Sequence, residues 1–151
     1  MNILFLDDEQ WRHDAARKWN QDNDDTIWHV SQSSMAIELL RGDYFDIVFL
    51  DHDLVVDFDS EQSGMDVVEF LIDESKKPES DVWKPGLVVV HSWNNHAALV
   101  MIEKLKSIGI KTVRWFFEPT QNAVNLFREK ANEARAKRVR LVGSYVDGEK
   151  D

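Results

Sequence analysis

Four short segments concentrate residues able to do chemistry, and each directly follows an apolar run. Asp7-Asp8-Glu9 follows Ile3-Leu4-Phe5-Leu6, and Asp51-His52-Asp53 follows Ile47-Val48-Phe49-Leu50. His91-Ser92-Trp93-Asn94 follows Leu87-Val88-Val89-Val90, and Glu118-Pro119 follows Val113 to Phe117. A single acid where a buried segment surfaces needs no functional explanation. Asp7, Asp8, Asp51 and Asp53 gathered at one place are different, because crowded carboxylates raise one another's pKa unless a cation offsets them. Their oxygen-only chemistry suits a hard divalent ion such as Mg²⁺, Mn²⁺ or Ca²⁺. His91 and His52 beside such a cluster suit metal ligation or proton transfer. Ser92 and Asn94 suit capping of a following helix, whose N-terminus also attracts anions. Trp93 is placed to stack on a base.

The elements that must bring these residues together can be read from periodicity. The four-residue apolar runs are expected strands, with Ile27, Trp28 and Val30 marking a more polar edge strand and Val113 to Phe117 a fifth strand. Between them lie helical stripes: Trp11, Ala15, Ala16, Trp19; Met35, Ala36, Leu39, Leu40, ended by Gly42; Met65, Val68, Leu71, Ile72; Ala97, Met101, Leu105, Ile108, followed by Gly109; and Ala123, Phe127, Ala131, Ala134. The alternation is (βα)₅. Continuous apolar strands joined by helices imply a parallel sheet covered on both faces, and five repeats are too few for a closed eight-stranded barrel. The expected fold class is α/β, a three-layer doubly wound five-stranded parallel sheet in flavodoxin-like order 2-1-3-4-5. Ligands of such sheets bind beyond the carboxyl ends of the strands, and strands 1 and 3 are then neighbours.

Composition bounds the rest. The chain has 151 residues, 43% hydrophobic, 18 Lys plus Arg against 28 Asp plus Glu, and a formal charge of −10. One domain over residues 1–151 is expected, with a core of about 2–135. The negative charge argues against nonspecific attraction to nucleic acid or anionic membrane, while a divalent cation can still bring in a phosphorylated ligand. No apolar run approaches the ~20 residues of a membrane span, and MNILFLDDEQ carries no signal-peptide pattern. The absence of cysteine excludes disulfides, thiolate catalysis and Cys-ligated zinc. A cytoplasmic protein is the expectation. Charge is unevenly divided: residues 1–81 hold 6 basic and 21 acidic residues, net −15, and residues 82–151 hold 12 and 7, net +5. The basic run Arg135, Lys137, Arg138, Arg140 reads as a solvated last helical turn that complements the helix dipole. Most of the six tryptophans are expected in the core. His13, His29 and His96 read as surface, edge-strand and helix residues. Acids and glycines from Asp57 to Gly64 suggest a mobile loop. There is no Walker loop, no GxGxxG and no internal repeat.

These residues resemble the receiver domain of two-component response regulators over roughly residues 2–135. The resemblance implies an acid pair at Asp7 and Asp8, a phosphoacceptor at Asp51 and a backbone carbonyl from Asp53 towards Mg²⁺. Two positions depart from it. His91 stands where receivers place Thr or Ser, and Glu118 where they place a lysine that neutralises the acyl phosphate, which argues against an ordinary phosphorylation switch. The stretch from Asp51 to Gly64 is also longer. The chain is similar in more detail to the cyclic-phosphate processing receiver-like family, through Leu6-Asp7-Asp8, Leu50-Asp51-His52-Asp53-Leu54, Ser63-Gly64-Met65-Asp66 and His91-Ser92-Trp93-Asn94. Its members also lack the lysine, and the resemblance implies hydrolysis or transfer at a cyclic phosphate.

The leading expectation is therefore a metal-dependent phosphoesterase acting on an RNA 2′,3′-cyclic end or a cyclic nucleotide. Asp7, Asp8, Asp51 and Asp53 would hold Mg²⁺ or Mn²⁺, His91 or His52 would be the general acid, and Ser92, Asn94 and Trp93 would bind substrate. A variant makes Asp51 the nucleophile. The competing expectations are a divergent receiver acting as a phosphorylation-dependent or metal-binding signalling module, and a protein that sequesters a nucleotide without cleaving it.

Overall fold

The structure is a computed structural model that describes residues 1–54 and 63–141. Its strands are β1 (Asn2–Leu6), β2 (Thr26–Val30), β3 (Ile47–Leu50), β4 (Leu87–Val90) and β5 (Thr112–Arg114). Its helices are α1 (Gln10–Trp19), α2 (Ser33–Gly42), α3 (Gly64–Ser75), α4 (Asn95–Ser107) and α5 (Gln121–Arg135). All strand pairs are parallel, in the order β2-β1-β3-β4-β5. This is the flavodoxin-like receiver arrangement expected from the sequence.

Alternation along the strands divides the core into two layers. Leu4, Leu6, Val48, Leu50, Val88 and Val90 pack with Ala36, Leu40, Val68, Leu71, Ala98 and Met101 of α2, α3 and α4. Ile3, Phe5, Ile47, Phe49, Leu87 and Val89 face the other side, against Ala16 and Trp19 of α1 and Val124, Phe127 and Ala131 of α5. Both faces of the central strands are covered, which is why they read as unbroken apolar runs. β2 alternates exposed and half-buried positions, as its edge place requires.

Several expectations are corrected. The fifth strand ends at Arg114, paired with Val90 at the end of β4, and Phe117 adopts a positive φ of 56°, outside the strand region. Trp11 and Met35 do not join the buried stripes and are 50% and 51% exposed. Only Trp19 and Trp115 of the six tryptophans are buried, while Trp11, Trp28 and Trp93 are exposed. α5 ends at Arg135, so Lys137, Arg138 and Arg140 lie beyond the helix. Of the expected mobile loop, residues 57–62 lie outside the described residues. Among the described residues no helix is long and apolar enough to cross a membrane.

Candidate functional site

The carboxyl ends of β1, β3 and β4 bring Asp7, Asp51 and His91 together. The ladder carries each of them one step past its strand: Asp51 N–H donates to the Leu6 carbonyl at 3.1 Å, and His91 N–H to the Leu50 carbonyl at 3.0 Å. All three are buried, Asp7 and His91 completely. Asp7, Asp8 and Asp51 each offer a carboxylate oxygen, and the three oxygens lie within 4.8 Å of one another. An all-oxygen set of this size fits a hard divalent cation.

The Asp7 side chain is fully engaged. Its Oδ1 accepts from the Glu9 N–H at 2.7 Å, and its Oδ2 accepts from His91 Nε2 at 2.7 Å and Arg12 Nη1 at 3.1 Å. Burial pushes the Asp7 carboxyl up, but those donors outweigh it and hold the pKa below its ordinary value. Asp51 has the opposite balance. Burial and the neighbouring Asp7 charge, reinforced by Asp8 and Asp53, push it up to about 8 against the opposing pull of Arg12. The Arg12 guanidinium is the cation of the site, with Nη1 3.5 Å from Asp51 Oδ2 as well. His91 is held down by burial, which outweighs its hydrogen bond to Asp7, so it sits as a neutral ring donating from Nε2. Phe5 stacks on it at 5.4 Å and 17°.

Gly64 explains the Ser63-Gly64-Met65-Asp66 motif. A Cβ there would stand 2.1 Å from the Asp51 carbonyl oxygen, so only glycine lets the α3 N-terminus approach the end of β3. Ser63 and Asp66 form a reciprocal capping box on that helix.

The remaining expected site residues are more peripheral. His52 Nδ1 and Asp53 Oδ1 pair with each other at 2.6 Å, and the Asp53 side chain lies outside the three-carboxylate cluster. Asn94 caps α4 by accepting from the Ala97 N–H, and Ser92 Oγ accepts from the Asn94 N–H. Trp93 is 73% exposed on the rim.

Sequence reasoning missed two features. Arg12 is 7% exposed and belongs to the buried stripe Arg12, Ala16, Trp19, one position round from the expected stripe. An arginine at i, i+4, i+7 spacing with two core residues was the available signal. His13 is buried rather than on the surface. Its Nε2 donates to the Asp7 carbonyl at 2.8 Å, and its Nδ1 lies 2.7 Å from Nδ1 of His29. Since the carbonyl can only accept, the proton between the rings belongs to His29 while His13 is neutral.

The cyclic-phosphate processing Receiver domain model matches residues 2–107 of this chain. The chain belongs to that family. No curated protein sequence matches it. Among solved structures it is similar to the signal receiver domain of a protein described as a LuxO repressor from Vibrio parahaemolyticus (18% identity, 87% of this chain and 92% of that one, TM-score 0.60). It is also similar to a CheY-like response regulator receiver domain from Methanospirillum hungatei JF-1 (14%, 90% and 97%, TM-score 0.60). A third is a response regulator from Burkholderia pseudomallei (17%, 90% and 71%, TM-score 0.55). These similarities overturn the leading expectation of a metal-dependent phosphoesterase, because the fold, the strand-end acids and the matched structures all belong to receiver domains. The acid cluster that suggested hydrolysis is shared with receivers and does not distinguish the two chemistries.

Proposed function

We propose that this chain is a divergent receiver module that signals through Asp51, with a divalent cation, Mg²⁺ most naturally, held by Asp7, Asp8 and Asp51. The observation that carries the reading is the cluster of three carboxylate oxygens within 4.8 Å at the ends of β1 and β3, bridged by Arg12. The response regulator from Burkholderia pseudomallei, similar in fold, contains a phosphorylated aspartic acid and a calcium ion, which supports the reading of an aspartate as phosphoryl acceptor here.

Glu118 at the position of the receiver lysine argued against phosphorylation. Glu118 is exposed in the segment after β5, and a buried guanidinium supplied by α1 stands against Asp51 instead. Arg12 thus takes over the charge neutralisation that the lysine provides in receivers. On this reading the ionised Asp51 carboxylate attacks the phosphorus of a small phosphodonor. The leaving group departs with the electrons of its bond to phosphorus, and the phosphoryl group stays on Asp51. A bound divalent cation supplies positive charge that favours ionised Asp51 and offsets the phosphoryl oxygens. His91 holds Asp7 and is a positioning residue, since its Nε2 is committed to that carboxylate. Ser92 and Asn94 order the α4 N-terminus next to it.

Beryllofluoride, a phosphoryl mimic, tests this reading. With Mg²⁺ it should shift the amides of Asp51, Gly64 and His91 in the wild type, and should fail to do so without Mg²⁺ or in Asp51→Asn. A response to Mg²⁺ that beryllofluoride leaves unchanged would replace the reading with a purely metal-binding module.

A further inference from the structure

The basic half of the chain builds a cavity at the other end of the sheet. It has a volume of about 360 Å³ and lies against the amino ends of β3, β4 and β5, so the length of β4 separates it by roughly 13 Å from the acid cluster. Its walls come from Tyr44, the residues just before β4 and β5, and the end of α5 with the segment beyond it.

That segment is tied down. Lys84 N–H donates to the Val139 carbonyl at 2.8 Å, Leu141 N–H donates to the Val82 carbonyl at 2.7 Å, and Trp83 bridges Arg140 in antiparallel fashion. The Arg140 guanidinium lies 4.0 Å from the Trp83 ring centroid. The basic run is therefore folded back against the approach to β4, which sets Lys137 and Arg138 together with Lys84 around one cavity.

Charge in the cavity is one-sided. Lys84, Lys111, Lys137 and Arg138 line it with a single carboxylate, Glu133. Glu133 is engaged by Lys111 Nζ at 2.7 Å. Lys84 and Lys137 have no carboxylate partner among the described residues. Arg138 lies 4.3 Å from the Tyr44 ring centroid and holds its charge at the wall. Tyr44 is itself 7% exposed, and its buried Oη has no hydrogen-bond partner in the structure. Uncompensated like charges around a concavity repel one another and focus a positive potential into it. In a chain of net charge −10 this is a local reversal of sign.

We infer that this cavity binds a small ligand carrying at least two adjacent phosphate-type charges, held by Lys84, Lys137 and Arg138, with the Tyr44 ring as part of the wall. Two unpaired lysines and one arginine match the charge of a diphosphate group, and charge-assisted hydrogen bonds to its oxygens are of the strong kind. The volume lies at the small end of ligand pockets, which run from about 300 Å³ upward.

Pyrophosphate is the probe, titrated into the full chain in metal-free buffer at fixed ionic strength and followed by amide NMR. Saturable shifts are expected at Lys84, Gly86, Lys111 and residues 137–139. Affinity should fall about tenfold in Lys84→Gln and in Lys137→Gln, both outside the core, and should weaken as salt is raised. Glu133→Gln should strengthen binding, an effect that damaged folding cannot imitate. The inference is overturned by the absence of saturable shifts, by shifts confined to the Asp7 and Asp51 end, or by wild-type affinity in both lysine variants. Binding of a short single-stranded RNA here, without binding of pyrophosphate, overturns it as well.

Discussion

Arg12 Nη1 stands 3.5 Å from Asp51 Oδ2, and both side chains are almost wholly buried. The same nitrogen is 3.1 Å from Asp7 Oδ2, so one guanidinium serves two carboxylates from neighbouring strands. Removing one partner of a buried ionic group typically costs about 3–5 kcal/mol, since the other partners are left uncompensated. Arg12→Met should therefore lower stability by about 3 kcal/mol in urea unfolding, and should move the Asp51 titration to still higher pH. A loss under about 1 kcal/mol would show that solvent screens the pair.

Asp51 also predicts a pH dependence of a definite sign. Its folded pKa of about 8 lies above the ordinary carboxylate value of 3.8. Between about pH 4 and pH 8 the folded state keeps a proton that the unfolded state has lost. Stability on this account falls as pH rises through that window, by at most about 1.4 kcal/mol per pH unit. Asp51→Asn removes that contribution, so the variant should gain on the wild type steadily from pH 5 to pH 8 in metal-free buffer. Parallel pH profiles for the two proteins would contradict the burial of an acid there.

Metal binding is linked to the same proton. A divalent cation prefers ionised Asp51, so binding in this range should release a proton, and Mg²⁺ affinity should rise with pH until about pH 8. Calorimetry in buffers of different ionisation enthalpy measures the proton count directly. Asp8→Asn should weaken Mg²⁺ while leaving the fold intact, because Asp8 is only partly buried.

Two glycines separate packing from conformational freedom. Gly64→Ala places a methyl group 2.1 Å from the Asp51 carbonyl oxygen and should cost about 1–3 kcal/mol while weakening Mg²⁺ binding. Gly42→Ala, at the end of α2, has nothing within 4 Å and should be neutral or stabilising by up to about 1 kcal/mol. Thermal unfolding of the pair reads both.

The parts of this architecture that follow from side-chain type were legible in the sequence. Four-residue apolar runs ending at Asp7, Asp51 and His91 announced parallel strands and the edge of the sheet where the acids meet. Other features depend on what no local pattern carries. Arg12 counts as polar in any periodicity, and its partner Asp51 is 39 residues away. β5 stops at Arg114, where its pairing with β4 ends at Val90, and Phe117 takes a left-handed backbone that an aromatic side chain does not signal. His13 is buried because the Asp7 carbonyl and His29 satisfy its ring, and both partners depend on the β1–β2 pairing. The basic run looked like a helix end, and the pairing of residues 82–84 with 139–141 gave it a different setting.

The central claim is that Asp51 accepts a phosphoryl group in a site charged by a divalent cation and Arg12. The most direct measurement is intact and peptide mass analysis after incubation with acetyl phosphate and Mg²⁺. The account predicts addition of one phosphoryl group, mapped to Asp51, dependent on Mg²⁺, slowed in Arg12→Met and absent in Asp51→Asn. An unmodified chain under conditions where Mg²⁺ is bound, or a phosphoryl group on another residue, would contradict it.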